Sequence, residues 1–401
     1  MRTACLLLTL GLLACSGSKR LPDPDKLKLA VSTTKAHAEV RFRPRDAPDG
    51  IDAHLVSYIP DGQWDAGLDQ ATHLILKALV DERARITTPS VSASTAQAGF
   101  PGQARFLRRL NGGAFPNDLV ERILRDGNGR KIDLGVASRT FSDGRVLWVV
   151  GWAPHLADLD PLPRDLQLDD NLPIRVISDH PGPFRLFVTP PDGPVQEHAI
   201  SAEASRWVDV FHAPGAYRIE VVGDRNGRSD VLLLFTVFVD TEPERVPMLA
   251  WHPREAPNPT RAERLLFEAL NEARLAHGLQ PVASFDLFRP LAREHAAYMA
   301  SAGRLGHILP GLTSGVPNNA TKVAHPQAQF YENVAVAITA DDAHALVEDS
   351  PGHFRNLLCE PCTHATVGVA LEPVLDRPPR LFVAWELMWF PNGEPQPLPE
   401  K

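Results

Sequence analysis

The chain has 401 residues, and its 41 Lys and Arg against 49 Asp and Glu give a formal net charge of 41 − 49 = −8. This length allows two or three domains, and 44% hydrophobic with 22% charged residues excludes a wholly disordered chain. A mildly acidic chain without a basic stripe argues against nucleic acid as a partner. Beyond the N-terminus no apolar run approaches the roughly 20 residues of a membrane-spanning helix.

The N-terminus has the pattern of an export signal. Arg2 precedes an apolar stretch from Ala4 to Ala14, which is too short to cross a bilayer. The stretch ends in Leu12-Leu13-Ala14-Cys15, which resembles the lipobox of bacterial lipoproteins. The alternative is an ordinary signal peptide followed by an incidental cysteine.

The lipobox resemblance implies that residues 1–14 are a cleaved signal peptide and that the Cys15 thiol carries a diacylglycerol. Buried acyl chains anchor a protein at about 0.8 kcal/mol per CH₂, so the membrane becomes a partner through this lipid. We therefore expect an exported, membrane-anchored lipoprotein at the outer membrane or cell surface, with residues 15–46 as a tether.

Export also bears on the cysteines that remain, Cys359 and Cys362. Their Cys-Glu-Pro-Cys spacing is compatible with thioredoxin-like redox chemistry or with half of a zinc knuckle. No second pair completes a Cys₄ site, and no βαβ pattern surrounds the motif. An exported chain favours a disulfide that closes this small loop, and two free thiols are the next alternative.

Residues 47–158 read as an α+β block. Helical spacing of apolar residues covers Asp69 to Arg85, and a second helix is predicted from Gln103 to Leu110. Two strands, Ile132 to Ser138 and Val146 to Trp152, are joined by the hairpin signal Ser142-Asp143-Gly144.

Residues 170–246 change to short β-rich runs separated by turn residues. The strand candidates are Ile174 to Ile177, Phe184 to Val188, Trp207 to Phe211, Tyr217 to Val222 and Val231 to Val239. This spacing without helical periodicity predicts an all-β sandwich resembling an immunoglobulin-like module. Such a module is a spacer or a binding platform, and we expect no catalytic residue in it.

Residues 257–392 return to a mixed pattern. Thr260 and Glu263 fit a capping box at the start of one helix, and Asp286 to Ala302 predicts a second. A short third helix covers Thr339 to Val347, and strands are predicted at Thr366 to Leu371 and Leu381 to Met388. Helices around a small antiparallel sheet make an α+β domain.

Five motifs follow one another in this last block. They are Leu270-Asn271-Glu272-Ala273-Arg274, Ala292 to Met299 with Gly303-Arg304-Leu305-Gly306-His307, Tyr331-Glu332-Asn333-Val334-Ala335, Ser350-Pro351-Gly352-His353-Phe354-Arg355-Asn356-Leu357-Leu358, and Val367-Gly368-Val369-Ala370. In these motifs the block resembles the CAP superfamily, also called the SCP domain, of cysteine-rich secretory proteins, antigen 5 and pathogenesis-related proteins. The resemblance covers only the last third of the chain.

The CAP resemblance implies an α-β-α sandwich with a cleft lined by two histidines and two glutamates. By position, His307 and His353 are the histidines and Glu332 is one glutamate. The position of the other glutamate falls near Ser350, and Glu348 is close to it but out of register. The complete set of four is therefore in question.

Three readings of His307, Glu332 and His353 remain open. Two imidazoles and one carboxylate can bind zinc with an open position for water. They can also act as an acid–base pair, or simply hydrogen-bond one another and fix the loops. His295 on the inner helix face reads as a core histidine. Four further histidines have no partner at metal-ligand spacing and read as surface groups: His277, His325, His344 and His364.

An internal comparison suggests that the first block is a decayed CAP-like copy. Leu74 to Arg83 lines up with Leu265 to Arg274, and Leu134-Gly135-Val136-Ala137 echoes Val367-Gly368-Val369-Ala370. Phe115-Pro116-Asn117-Asp118 stands where Ser350-Pro351-Gly352-His353 would be. The alternative is coincidence between two generic helix-and-hairpin patterns. Such a copy has no equivalent of His307, Glu332 or His353.

Together these features predict a cell-envelope-anchored CAP-domain lipoprotein that binds a lipid or protein ligand in its C-terminal cleft. The alternative is a metal-dependent hydrolase that acts on an envelope polymer or peptide through His307, Glu332 and His353, with zinc as its cofactor. A third possibility is a purely structural protein whose cleft is vestigial.

Overall fold

The structure is a computed structural model. It describes residues 39–40, 44–45, 59, 62–81, 84–111, 117–127, 129–200, 206–225, 228–243, 249–250, 258–307, 328–372 and 379–391. The predicted signal peptide, the lipidation site Cys15 and most of the tether lie outside these ranges. Within them, no helix is long and apolar enough to cross a membrane. The domain boundaries stay predictions.

The first block contains a five-stranded sheet with a helix on each face. Its elements are β1 Glu39–Val40, β2 Pro44–Arg45, β3 Gly62–Asp65, α1 Ala66–Asp81, β4 Ala84–Arg85, α2 Thr88–Ala98, β5 Arg105–Asn111, α3 Asn117–Gly127, β6 Ile132–Thr140 and β7 Val146–Pro154. The sheet order is β2-β3-β6-β7-β5. Apolar residues of α1 and α3 pack on opposite faces of the sheet.

The predicted helix from Gln103 to Leu110 is wrong, because this segment forms strand β5. It pairs antiparallel with β7 along its whole length, from Arg105 opposite Trp152 to Asn111 opposite Val146. The helix lies earlier, at Thr88–Ala98, where the Thr87 hydroxyl accepts a hydrogen bond from Ser90 N–H. Its Ser- and Thr-rich sequence lacks the apolar stripe by which a helix is recognised.

The second block is built around one apolar core between a large sheet and several short strands. Its elements are β8 Asp158–Leu159, β9 Leu162–Pro163, β10 Asp165–Leu166, β11 Leu172–Ile174, β12 Val176–Ile177, β13 Phe184–Thr189, β14 Gln196–Ile200, β15 Arg206–Val208, β16 Gly215–Arg225 and β17 Arg228–Val239. The large sheet has the order β10-β17-β16-β13-β14, and β11 pairs with β15. We call this block the β-sandwich.

The third block is an α-β-α sandwich, as predicted. Its elements are β18 Leu249–Ala250, α4 Pro259–Ala276, β19 Ala283–Ser284, a 3₁₀ turn Asp286–Phe288, α5 Arg289–Ala302, β20 Gln329–Ala337, α6 Ala340–Asp349, α7 Pro351–Leu357, β21 His364–Leu371 and β22 Leu381–Trp389. The sheet order is β19-β21-β22-β20. Helix α5 packs on one face, and α4, α6 and α7 pack on the other.

The first helix of this block begins differently from the predicted capping box. Asn258 is its N-cap, and the Asn258 side-chain oxygen accepts a hydrogen bond from Arg261 N–H at 3.0 Å. Glu263 is buried instead, where its carboxylate accepts hydrogen bonds from Arg293 and from Val369 N–H. Glu263, which the sequence assigned to a capping box, therefore connects α4 to α5 and β21 through these hydrogen bonds.

The sheets of the first and third blocks share one topology. In each, a short first strand runs parallel to the third, the third and fourth form an antiparallel hairpin, and the second strand pairs antiparallel with the fourth. The strands are β3, β5, β6 and β7 in one block and β19, β20, β21 and β22 in the other.

A glycine on the third strand lets one helix approach each of these sheets closely. A Cβ on Gly368 would lie 2.1 Å from the carbonyl carbon of Ala292 in α5. A Cβ on Gly135 would lie 2.5 Å from the carbonyl carbon of Leu68 in α1. By this contact α1 corresponds to α5, whereas the sequence comparison had aligned it with α4.

Replacing Gly368 by alanine is expected to destabilise the third block, because the added methyl meets helix backbone that cannot rotate away. Overpacking of this kind costs about 1–3 kcal/mol, occasionally more. It would also displace α5, which carries His295. Urea unfolding of the Gly368→Ala variant measures the loss, and an unchanged midpoint would show that α5 does not lie this close to β21.

Candidate functional site

Strand β20 positions one glutamate and one asparagine on opposite faces of the sheet. Because side chains alternate along a strand, Glu332 faces α5 while Asn333 faces α7. In β22, Glu386 lies directly opposite Glu332 in the pairing register. The strand pair therefore brings two carboxylates together beneath α5, which contributes His295.

His295, Glu332 and Glu386 form a compact buried cluster, with one ligand atom from each lying within 4.8 Å of the others. His295 Nδ1 lies 2.8 Å from Glu332 Oε2, and His295 Nε2 lies 3.0 Å from the Gly306 carbonyl oxygen. His307, in the segment after α5, places Nδ1 2.6 Å from Glu332 Oε1. The His307 side chain is 52% exposed, so it stands where the cluster meets solvent.

The two carboxyl groups have opposite protonation. Burial alone would raise the pKa of Glu332, but hydrogen bonds with His295, His307 and Glu386 lower it to about 2. Burial and the neighbouring charge of Glu332 raise the pKa of Glu386 well above its ordinary value. Glu332 is therefore ionised and Glu386 neutral, since two adjacent buried carboxylates cannot both be charged cheaply.

The surroundings of His295 favour its positively charged form. Burial lowers the pKa of His295, but the hydrogen bond to Glu332 and its charge raise the net value above the ordinary one. The prediction that His295 is a satisfied core histidine is confirmed for its burial and its hydrogen bonding. The ring is fully buried, but its partner is the carboxylate of the predicted site.

His353 lies on α7, which packs on the opposite face of the sheet from α5, and the charge of His307 acts on its ring. Burial and the charge of His307 lower the pKa of His353 to about 4, so the ring is neutral. Asn333 donates a hydrogen bond to the His353 carbonyl oxygen at 2.9 Å, and Asn356 donates to Asn333 at 3.0 Å. These amides fix α7 to the strand that carries Glu332.

The second glutamate of the cluster is Glu386, which the sequence reading missed. Glu348 is an exposed residue of α6 whose carboxylate lies 3.2 Å from His344. Glu386 is the only charged residue in the strand Leu381–Trp389, and it is 2% exposed. A lone charge inside an apolar strand is the signal that could have identified it.

The other histidines lie apart from the cluster. His364 was predicted to be a surface group, but it is buried, and its ring stacks edge-on against Phe285 and Phe390. The His344 side chain is 12% exposed, so it is not a free surface group either. His277 is exposed at the end of α4, and His325 lies outside the described residues.

The donor set of the cluster fits zinc. Zinc is bound in proteins by histidine nitrogens and carboxylate oxygens in compact sites. Glu386 Oε1 is buried without a hydrogen-bond partner among the described residues, so one potential ligand atom has no other role. His295, Glu332 and Glu386 could hold such an ion, with His307 beside it.

Cys359 and Cys362 form the predicted disulfide, with Cα atoms 5.4 Å apart. The buried guanidinium of Arg274 donates hydrogen bonds to the carbonyl oxygens of both cysteines and of Leu357. This pair is therefore part of a backbone clamp behind α7, rather than a zinc knuckle.

Comparisons with known proteins agree with the CAP resemblance that the five motifs predicted. Residues 267–382 match the family model of CAP, the cysteine-rich secretory protein family. No curated protein matches the sequence.

Three solved structures resemble the chain at low identity. An outer surface protein of Borrelia burgdorferi is 17% identical, covers 34% of this chain and 96% of its own, and has a TM-score of 0.28. An extracellular SCP-domain protein of Bacillus anthracis is 14% identical over 59% of this chain and 86% of its own, with a TM-score of 0.28. A cysteine-rich secretory protein of Staphylococcus aureus is 13% identical over 57% and 86%, with a TM-score of 0.25. The family match therefore assigns residues 267–382, less than a third of the chain, to a CAP domain.

Proposed function

We propose that this chain is an exported, lipid-anchored envelope protein whose CAP domain binds a divalent metal ion, zinc by its donor set. One observation carries the proposal: His295, Glu332 and Glu386 converge in a buried cluster. The metal-bound cleft then binds a lipid or protein ligand of the envelope. The exposed His307 ring is the group that such a ligand would meet first.

Two of the proposed metal ligands, His295 and Glu386, tend to hold protons when no metal is bound. The pKa values of His295 and Glu386 are both raised beside the ionised Glu332, so the metal-free cluster favours a proton on each of them. Ligands must lose their protons to bind a metal. Zinc binding should therefore release protons, and its affinity should rise with pH.

Calorimetric titration of the full chain with zinc tests this proposal. We expect one zinc per chain, binding that is lost in His295→Ala, and a measured heat that changes with the ionisation enthalpy of the buffer because protons are released. His344→Ala, outside the cluster, is the matched control and should bind as the wild type does. Absence of binding by the folded wild-type protein would refute the proposal.

A metal-dependent hydrolase is the second candidate, favoured by the neutral ring of His353. A histidine with a pKa of about 4 is unprotonated at neutral pH, which is the state that a general base needs, but so low a pKa makes it a weak base. Zinc, when bound, would supply Lewis acidity toward a carbonyl group or water. Hydrolysis of envelope peptides or polymers that is lost in His353→Ala, with zinc binding retained, would support this candidate over simple binding.

We also propose that the first block is a CAP-like copy without a site. Gly135 and Gly368 can be superposed, because each lies on the third strand of its sheet against a helix. With this match and the strand pairing, alanines occupy the positions equivalent to His295, Glu332 and Glu386. Ala71 stands for His295, Ala104 for Glu332 and Ala153 for Glu386. Leu68, Phe100 and Ala153 form a small apolar cluster there, against which Ala104 packs. The copy's equivalent of the cleft is thus filled by apolar side chains.

A further inference from the structure

A buried carboxylate of the β-sandwich, that of Glu220, contacts the CAP domain. Glu220, on the central strand β16, is 1% exposed. Its Oε2 accepts a hydrogen bond from Gly352 N–H at 2.5 Å, and its Oε1 accepts one from the Ser350 hydroxyl at 2.8 Å. Both partners belong to the segment of the CAP domain that carries His353.

Gly352 is suited to this contact. A Cβ at this position would lie 3.1 Å from Glu220 Oε2, so the missing side chain lets the carboxylate approach the backbone. Polar contacts hold the surrounding interface as well. Arg218 of β16 pairs with Asp349, which also accepts a hydrogen bond from Ser92 of α2 at 2.7 Å. The end of α6 and the start of α7 are therefore held by both preceding blocks.

The contact continues to the imidazole of His353, whose Nδ1 lies 2.7 Å from the Ser350 oxygen. A serine hydroxyl has one hydrogen to donate and lone pairs that accept. Because Ser350 donates its hydrogen to Glu220, its oxygen must accept from His353, so Nδ1 carries the proton. The neutral ring then has only Nε2 free, as an unprotonated acceptor.

We propose that Glu220 is a positioning residue of the CAP cleft, which acts through Ser350 to hold His353 in the tautomer with an unprotonated Nε2. This inference rests on the proposed use of the cleft. It makes the β-sandwich part of the site, whereas the sequence predicted a spacer or a binding platform without catalytic residues. The nitrogen that remains free is the one that can accept a proton or a hydrogen bond from a ligand.

The Glu220→Gln variant gives a specific expectation. The glutamine oxygen can still accept from Gly352 N–H, but its amide group then donates to the Ser350 oxygen. Ser350 must turn its hydrogen toward His353 Nδ1, and the ring proton moves to Nε2. A change of one atom, from oxygen to nitrogen, should therefore reverse the His353 tautomer while leaving the three proposed metal ligands, His295, Glu332 and Glu386, unchanged.

Nitrogen-15 NMR of histidine-labelled full chain at neutral pH measures the tautomer, with the His353 signal assigned by its loss in His353→Gln. We expect the Nδ1–H form in the wild type and the Nε2–H form in Glu220→Gln. Glu197→Gln is the matched control, because Glu197 is a sandwich carboxylate that contacts Arg355 of α7 and should leave the tautomer unchanged. An Nε2–H wild type, or a folded Glu220→Gln protein with an unaltered tautomer, would overturn the inference.

Ser350→Ala provides a second route should Glu220→Gln fail to fold. It removes the link while leaving Glu220 bonded to Gly352, and we expect a mixture of both tautomers. A pure Nδ1–H form in Ser350→Ala would overturn the inference. Zinc titration of the same samples keeps the two proposals apart, since the wild type could lack zinc binding and still show the Nδ1–H tautomer.

Discussion

Glu332→Gln is expected to lower zinc affinity by more than about 100-fold, beyond the 10–100-fold that outer-sphere changes typically cost. The reason is that Glu332 is the one ionised carboxylate of the cluster and contacts both His295 and His307. Without its charge, only Glu386 is left to offset the charge of the cation, and Glu386 must first lose its proton. Calorimetry on the full chain measures the effect. Glu348→Gln, an exposed glutamate of α6, is the matched control, and equal affinity in the two variants would remove Glu332 from the site.

The Glu332→Gln variant should also lose the pH-dependent contribution that the Glu332 carboxylate makes to the free energy of unfolding. Since the pKa of Glu332 is lowered to about 2, its contribution to stability is complete above the ordinary glutamate pKa of about 4.3. That contribution falls as pH drops through the folded-state value. Glu386→Gln, by contrast, should leave the free energy of unfolding nearly unchanged, because a neutral amide replaces a carboxyl that is already neutral. It should preserve the fold and yet weaken zinc binding.

Arg274→Met is expected to destabilise the protein by at least about 3 kcal/mol, as breaking buried charged networks does. The buried Arg274 guanidinium donates to four carbonyl oxygens, those of Gln280, Leu357, Cys359 and Cys362. Methionine keeps the volume but leaves the four acceptors without these donors. Denaturant unfolding measures the loss of free energy.

The control for Arg274 lies on the same helix. Arg264 is exposed and forms one salt bridge with Glu268, a pair worth about 0.3–0.5 kcal/mol. Arg264→Met should therefore be nearly neutral. If Arg274→Met lost no more than this control, the carbonyl clamp behind α7 would not be a determinant of stability.

The third block was largely predictable because local signals and tertiary structure agree there. Its helices have apolar stripes, and the hairpin strands are apolar on the faces that they bury. Strand β5 shows the opposite case. Residues Arg105 to Asn111 place Phe106, Leu107 and Leu110 at a spacing that also fits a helix. Pairing with β7 decides the conformation, and this long-range contact has no local signature.

The site was predictable only in part. The motifs predict His307, Glu332 and His353 as site residues, whereas His295 could not be distinguished from a core histidine by helical position. The pairing of Glu386 with Glu332 depends on strand register. Glu220 lies in a different block, 130 residues before its partner Ser350, and its strand carries no motif. A residue such as Glu220 can be assigned to the site only once the packing of the blocks is known.

The proposed metal site is tested most directly by an anomalous difference map at the zinc edge, collected from crystals of the zinc-soaked full chain. We predict a peak between His295, Glu332 and Glu386, within bonding distance of all three side chains, and no such peak in crystals of Glu332→Gln. A map without a peak in this cluster, or with zinc bound only elsewhere on the chain, would contradict the proposal that the CAP cleft is a metal site.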